Sequence, residues 1–150
     1  MRLIADTGGI VAAMNTAEPD HERYRSALES ASLAVITALV IAEVHYLLSS
    51  GGAHEAARDF LEDVSGGFYE LAGLSAEDYA QGATLIQRYE GKMERKRRKP
   101  GSLDLADAMN IVTANRYGIN TLLATDQDYR VTQPLSGHQH FVLLPHDTEG

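Results

Sequence analysis

The sequence predicts a single α/β domain spanning residues 1–150, with a mostly parallel central sheet of about four to five strands flanked by helices on both faces. Three observations carry this reading. Short apolar runs alternate with stretches of helical periodicity along the chain, the order that builds parallel sheets from strand–helix–strand units. The run Leu33-Ala34-Val35-Ile36 is apolar at every position, as a strand covered on both faces requires. The length, 150 residues with 44% apolar and 23% charged side chains, suits one core rather than two.

The elements follow in order. Arg2 to Ala5 reads as a first strand ending at Asp6. Thr7-Gly8-Gly9 then turns the chain into a helix beginning near Ile10 and running to Met14. Glu18-Pro19-Asp20 interrupts it, and Asp20 is placed to cap a helix from His21 to about Ser30. Leu33 to Ile36 is the second strand, and Thr37 caps a helix from Ala38 to about Ser49 that Gly51-Gly52 ends. His54 to Val64 carries Phe60, Leu61 and Val64 at helical spacing. Phe68 to Leu71 reads as a third strand, and Ser75-Ala76-Glu77-Asp78 resembles a capping box opening a helix to about Tyr89. A charged segment, Lys92 to Gly101, precedes a helix from a Ser102 cap to Tyr117, with Gly118 just past its end. Thr121 to Ala124 and His140 to Leu144 are the last two strands.

Composition removes several classes of chemistry. Without cysteine there are no disulfides, thiolate metal sites, iron–sulfur clusters or thiol nucleophile. With 13 Lys+Arg against 21 Asp+Glu, the formal net charge is −8, so a nucleic-acid role requires a local basic patch or metal ions. Asp6 comes too early for a secretory signal, and no apolar run approaches the roughly 18 residues of a membrane span. A soluble cytoplasmic protein with no membrane partner is expected.

The informative residues are acids in apolar surroundings. Asp6 follows the first strand, and Asp126 follows Ala124-Thr125. In open α/β sheets, ligands bind beyond the carboxyl ends of strands, near a switch in strand order. Glu43 lies on a helix whose i−3 and i+4 neighbours are Val40 and Leu47, so it is expected on an apolar stripe and in need of a partner. Asp107 has Asp104 at i−3 and Ile111 at i+4; two acids on one helical face repel unless a cation or donor joins them. Each has an ordinary alternative: Asp6 as a helix cap, Glu43 partly exposed or in an ion pair with an arginine, Asp104 beside the helix dipole, Asp126 and Asp128 as turn acids. Together they call for a hard divalent cation such as Mg²⁺, which prefers oxygen ligands.

In this order these residues resemble the PIN-domain ribonucleases, and among them the VapC-type toxins of bacterial toxin–antitoxin pairs. The matching pieces are Ile4-Ala5-Asp6-Thr7, Ala42-Glu43-Val44, Leu105-Ala106-Asp107-Ala108 with Ile111 to Ala114, and Leu123-Ala124-Thr125-Asp126-Gln127-Asp128-Tyr129. The resemblance implies an acidic metal site on Asp6, Glu43, Asp107 and Asp126, with Asp126 preferred to Asp128 because it is nearer the strand end. Thr125, Asp104 and Asp128 would be supporting groups, and Tyr129 stands where an aromatic, commonly Phe, is implied. The implied activity is endoribonucleolytic hydrolysis leaving a 5′-phosphate, with one or two Mg²⁺ or Mn²⁺ ions acidifying a water and stabilising phosphate charge. The implied partners are RNA, an antitoxin that inserts Arg or Lys among the carboxylates, and a second copy in a two-fold homodimer.

Six of the 13 Lys+Arg residues fall within Lys92–Lys99, and Lys96, Arg97, Arg98 and Lys99 are the candidates for RNA phosphate contact. A solvated loop, or docking of an acidic partner, is the alternative for this run. His138 and His140 have H-x-H spacing without a third ligand, and Gly8-Gly9 is not a phosphate loop. A phosphoryl-accepting signalling domain is disfavoured, because the only lysines are Lys92, Lys96 and Lys99. A catalytically silent acidic-pocket binding protein and a DNA-directed nuclease of the same fold remain as alternatives.

Overall fold

The computed structural model describes residues 1–96, 99–101 and 103–147. The chain runs β1 (Arg2–Ala5), α1 (Thr7–Met14), α2 (His21–Ser30), β2 (Leu33–Thr37), α3 (Ala38–Ser50), α4 (His54–Ser65), β3 (Glu70–Ala72) and α5 (Ala76–Arg88). It continues with β4 (Met93–Lys96), β5 (Lys99–Gly101), α6 (Leu105–Tyr117), β6 (Thr121–Leu123), a 3₁₀ turn (Gln127–Arg130) and β7 (Val142–Leu144). Five strands form one parallel sheet in the order β3-β2-β1-β6-β7. This is the α/β architecture that the alternation of apolar runs and helices predicts.

Period-two alternation in the strands divides the core into two layers. Leu3 and Ala5 of β1 and Ala34 and Ile36 of β2 pack with Ile10, Val40, Val44 and Phe60, so α1 to α4 cover one face. Ile4 and Val35 point the other way and pack with Leu85, Met109 and Ile111 of α5 and α6. Helix α6 is buried on nearly all sides, from Ala106 to Ala114 apart from Asp107. That explains why its sequence lacks a polar face.

Several local expectations need correction. Helix α1 starts at Thr7, three residues before Ile10. Asp20 occupies the cap position of α2 but adopts a left-handed conformation (φ 59°) and its side chain makes no cap bond. The third strand begins at Glu70, not Phe68: Phe68 remains 47% exposed with its ring edge-on to Tyr69, and pairing starts at Val35↔Glu70. The last strand starts at Val142 rather than His140. Ser102, the expected cap of α6, lies outside the described residues; the cap is Asp104, whose carboxylate accepts from the Asp107 N–H at 2.9 Å. The charged segment forms an antiparallel hairpin, β4 with β5, pairing Met93 with Gly101 and Lys96 with Lys99. By contrast, Thr37 caps α3 through Val40 N–H, and both bonds of the Ser75/Asp78 capping box form.

Candidate active site

Strand order reverses between β1 and β6, since β1 continues through α1 and α2 to β2 on one side while β6 lies on the other. The crevice beyond these two strand ends is where ligands enter such sheets. An open cleft of about 400 Å³ lies there. Its acids are Asp6, Glu43, Asp104, Asp107, Asp126 and Asp128, and Thr7, Gly8, Thr125 and Gln127 complete the wall.

Local geometry explains why each acid arrives there. Register Ala5↔Leu123 and an Asp6 N–H bond to the Leu123 carbonyl (3.0 Å) fix the exit of β1 against β6. Asp6 then occupies the cap position of α1, yet its carboxylate makes no cap bond. It turns inward to accept from Asn110 Nδ2 at 2.9 Å and lies 3.2 Å from the Tyr129 hydroxyl. The close approach of α1 to β6 needs glycine at position 9, because a Cβ there would collide with the Leu123 carbonyl. A Cβ on Gly8 would strike the Thr125 hydroxyl.

Glu43 enters from α3, six residues after its Thr37 cap, and its Oε1 accepts from the Thr7 hydroxyl at 3.1 Å. The expectation of an apolar stripe around it is corrected. Helix α3 buries Val40, Val44 and Leu48, whereas Glu43 is exposed beside Tyr46 (69%) and Leu47 (47%). Asp107 stands in the first turn of α6, half-buried, with its Oδ1 3.0 Å from the Tyr129 hydroxyl. Asp126 caps the 3₁₀ turn by accepting from the Asp128 N–H at 2.9 Å, and Asp128 is buried. All four residues expected as metal ligands, together with Thr125, Asp104 and Asp128, therefore line one cleft.

The electrostatics are those of crowded acids. Asp6 and Asp107 are both held well above the ordinary carboxylate range. For Asp6 burial is the main cause, opposed by hydrogen bonds from Thr7 N–H and Tyr129 and reinforced by Asp126 and Asp104. For Asp107 burial again leads, followed by the charges of Asp6 and Asp104. Glu43 is raised by partial burial and by Asp104, against the bond from Thr7. The Tyr129 phenol is raised well above its usual value by burial and by its two carboxylate neighbours, so it stays protonated.

Two contributors were not legible as site residues. Thr7 holds Glu43, and Asn110 is a fully buried amide bonded to Asp6. The signal for Asn110 was a lone amide three residues after Asp107 in an apolar helix. The basic candidates are of a different kind. Arg97 and Arg98 lie outside the described residues; Lys96 and Lys99 pair in the β4–β5 hairpin. The hairpin root at Gly101 is three residues from Asp104, a chain distance of at most about 11 Å.

The donors suit a hard cation. They are carboxylate and hydroxyl oxygens with no nitrogen or sulfur ligand, the preference of Mg²⁺ or Mn²⁺. Among the described residues no three acids close into a ready-made cage. This is compatible with Mg²⁺, which binds through one or two carboxylates and retains several waters. A positive charge would also relieve the repulsion that raises Asp6 and Asp107.

Comparison with known proteins agrees with this arrangement. The family model described as PIN domain matches residues 3–133. Ribonuclease VapC26 of Mycobacterium tuberculosis (strain ATCC 25618 / H37Rv) is 30% identical over 145 residues, covering 95% of this chain and 100% of that protein. The crystal structure of Mycobacterium tuberculosis VapC20, a sarcin–ricin loop cleaving toxin, superposes with a TM-score of 0.71 at 19% identity, covering 84% of this chain and 91% of that one. VapBC2 from Rickettsia felis, bound to a DNA fragment from its promoter, gives a TM-score of 0.63 at 19% identity, covering 95% and 97%. At these identities the two structures speak to the fold alone. Among the described residues no helix is long and apolar enough to cross a membrane.

Proposed function

We propose that this chain, which belongs to the PIN domain family, is a metal-dependent endoribonuclease and the toxin of a VapBC-type toxin–antitoxin pair. The observation that carries this reading is the convergence of Asp6, Glu43, Asp107 and Asp126 on one cleft at the strand-order switch. Its near full-length kinship with a ribonuclease VapC supports RNA rather than DNA as substrate.

In this reading Asp6, Glu43 and Asp107 hold a Mg²⁺ ion, with Mn²⁺ as substitute, and Asp126 supports it or a second ion. When bound, the ion supplies an acidified water and charge compensation at the phosphate. The protein's own groups do the positioning. The Thr7 hydroxyl holds Glu43 by a hydrogen bond, and Asp104 fixes the first turn of α6 so that Asp107 faces the cleft. Thr125, Asp126 and Asp128 shape the β6 side of the cleft. Hydrolysis adds water across the phosphodiester and leaves a 5′-phosphate. The acidic chain repels RNA at long range, so the basic run Lys92–Lys99, including Lys96, Arg97, Arg98 and Lys99, would supply the phosphate attraction.

The antitoxin belongs to the same proposal: an Arg or Lys placed among these carboxylates would compensate their charge and block the cleft. So does a two-fold homodimer. Exposed Tyr46, Leu47 and Leu105 (69%, 47% and 44%) support an apolar face beside Glu43 and Asp104. Light scattering on Tyr46→Lys/Leu105→Glu is expected to report a monomer, and an unchanged dimer would move the interface elsewhere. Cytoplasmic location is proposed with them.

The decisive experiment is an RNA cleavage assay of the parent, Asp6→Ala and Asp107→Asn, with Mg²⁺ and with a chelator, beside a DNA substrate. Mg²⁺-dependent RNA cleavage lost in both variants is expected. Cleavage by both variants at the parent's rate would refute the site.

A further inference from the structure

Behind the two most buried carboxylates lies a pair of uncharged donors. Asn110 is fully buried, and Tyr129 is 1% exposed. Asn110 Nδ2 is 2.9 Å from Asp6 Oδ1 and 3.0 Å from the Tyr129 hydroxyl oxygen. The Tyr129 hydroxyl in turn lies 3.0 Å from Asp107 Oδ1 and 3.2 Å from Asp6 Oδ1. An amide nitrogen carries two protons and a phenol one. Asn110 gives one proton to Asp6 and the other to the Tyr129 oxygen, and Tyr129 presents its single proton to the two carboxylates, Asp107 being the nearer.

Two features show that this arrangement is not ordinary core filling. The Asn110 Oδ1 atom is buried with no hydrogen-bond partner among the described residues, a state that proteins rarely tolerate. Turning the amide over would set that oxygen against the Asp6 carboxylate and remove a donor from both acceptors. The orphaned acceptor is thus the consequence of aiming both amide protons at the site. The second feature is placement: Asn110 sits three residues after Asp107 on α6, whereas Tyr129 comes from the 3₁₀ turn after β6 and Asp6 from the end of β1. One fork of hydrogen bonds ties together three of the four elements that carry the cleft acids, while Glu43 on α3 is bonded by Thr7.

We infer that Asn110 and Tyr129 are positioning residues: a neutral donor fork that pins Oδ1 of Asp6 and of Asp107 and leaves Oδ2 of each outside the fork, on carboxylates that line the cleft. This rests on the metal-site reading given above and deepens it. Neither residue touches the cleft: the cavity lining includes Asp6 and Asp107 but not Asn110 or Tyr129. Both act through the carboxylates, as hydrogen-bonding partners of metal ligands do. A Phe at position 129 would keep the edge-on packing against Phe141 (ring centroids 6.2 Å apart) while removing the hydroxyl proton offered to Asp107.

The test uses the full chain and Mn²⁺ alone, titrated calorimetrically into the parent, Tyr129→Phe, Asn110→Leu and Asp107→Asn, with thermal unfolding of each without metal. The fork predicts that Tyr129→Phe and Asn110→Leu stay folded yet bind Mn²⁺ about 10- to 100-fold more weakly. The double variant should lose less than the product of the two single losses, because both act through one network. Parent-like Mn²⁺ affinity in both single variants, with Asp107→Asn impaired, overturns the fork and leaves the metal site standing. Parent-like affinity in Asp107→Asn overturns the metal site itself. Loss of the folded state in both Tyr129→Phe and Asn110→Leu also overturns the proposal, since it makes the pair core structure.

Discussion

Replacing Asp107 by Asn should stabilise the protein when no metal is present, and the size and pH dependence of that gain follow from the cleft. Asp107 is raised from an ordinary 3.8 to about 9 and Asp6 to about 7, chiefly by burial. A carboxyl that binds its proton more tightly in the folded than in the unfolded chain carries no penalty below pH 3.8, where both states are neutral. Its unfavourable contribution grows as pH rises from 3.8 towards the folded value and is complete above it. Between 3.8 and pH 8 lie about four units at about 1.4 kcal/mol each, a ceiling near 6 kcal/mol. Solvent reaching the half-buried Asp107 and adjustment of Asp6 beside it lower this to on the order of 2–3 kcal/mol. For a chain of this size that is a rise in Tm of roughly 5–10 °C at pH 8 and much less at pH 5. The Asn side chain retains an acceptor for the Tyr129 hydroxyl. Thermal unfolding in chelator at both pH values reads the effect. Mg²⁺ should raise Tm of the parent at pH 8 and leave Asp107→Asn nearly unmoved. A variant less stable than the parent at pH 8, or one that Mg²⁺ stabilises equally, would refute the reasoning.

Other perturbations test other parts of the molecule. Gly9→Ala drives a Cβ into the Leu123 carbonyl, so α1 must separate from β6; chemical denaturation should show a loss of about 2 kcal/mol or more. Asp147 accepts from Arg130 and from the Leu143 N–H, which hold its carboxyl below the usual range. Asp147→Ala should lower stability by roughly 1 kcal/mol at pH 7, since the pair is partly exposed. That difference should vanish as pH falls below the ordinary carboxylate range, the opposite sign to the cleft acids. Alanine at Lys96, Arg97, Arg98 and Lys99 should weaken RNA binding and flatten its dependence on salt, measured by anisotropy at several ionic strengths. Thr7→Val removes the hydroxyl that donates to Glu43 and should weaken Mg²⁺ activation several-fold in a cleavage titration, with little change in Tm.

How much was legible depends on how local the signal is. β1 ends where an apolar run meets Asp6, and α3 begins where Thr37 meets helical spacing; in both, neighbours in sequence decide the outcome. The strand-end pair Asp6 and Asp126 was legible for a topological reason, because parallel order places both at one rim. The errors arose where sequence offers equivalent choices. Ser102 and Asp104 are both good caps two residues apart, and the bond to Asp107 N–H selects Asp104. The β4–β5 hairpin carries almost no apolar alternation, so its charge hid its pairing. Glu43 looked buried because Leu47 is apolar, yet Leu47 itself faces out. The roles of Asn110 and Thr7 depend on contacts across 104 and 36 residues of chain, which no local pattern encodes.

The most direct test is a crystal of the parent protein soaked in Mn²⁺, with the ion located by anomalous scattering. The account predicts a peak in the cleft within ligand distance, about 2.2 Å, of Asp6 and Asp107 oxygens, and none there in an Asp107→Asn crystal. A strong peak elsewhere, with the cleft carboxylates left unliganded at the same Mn²⁺ concentration, would contradict it.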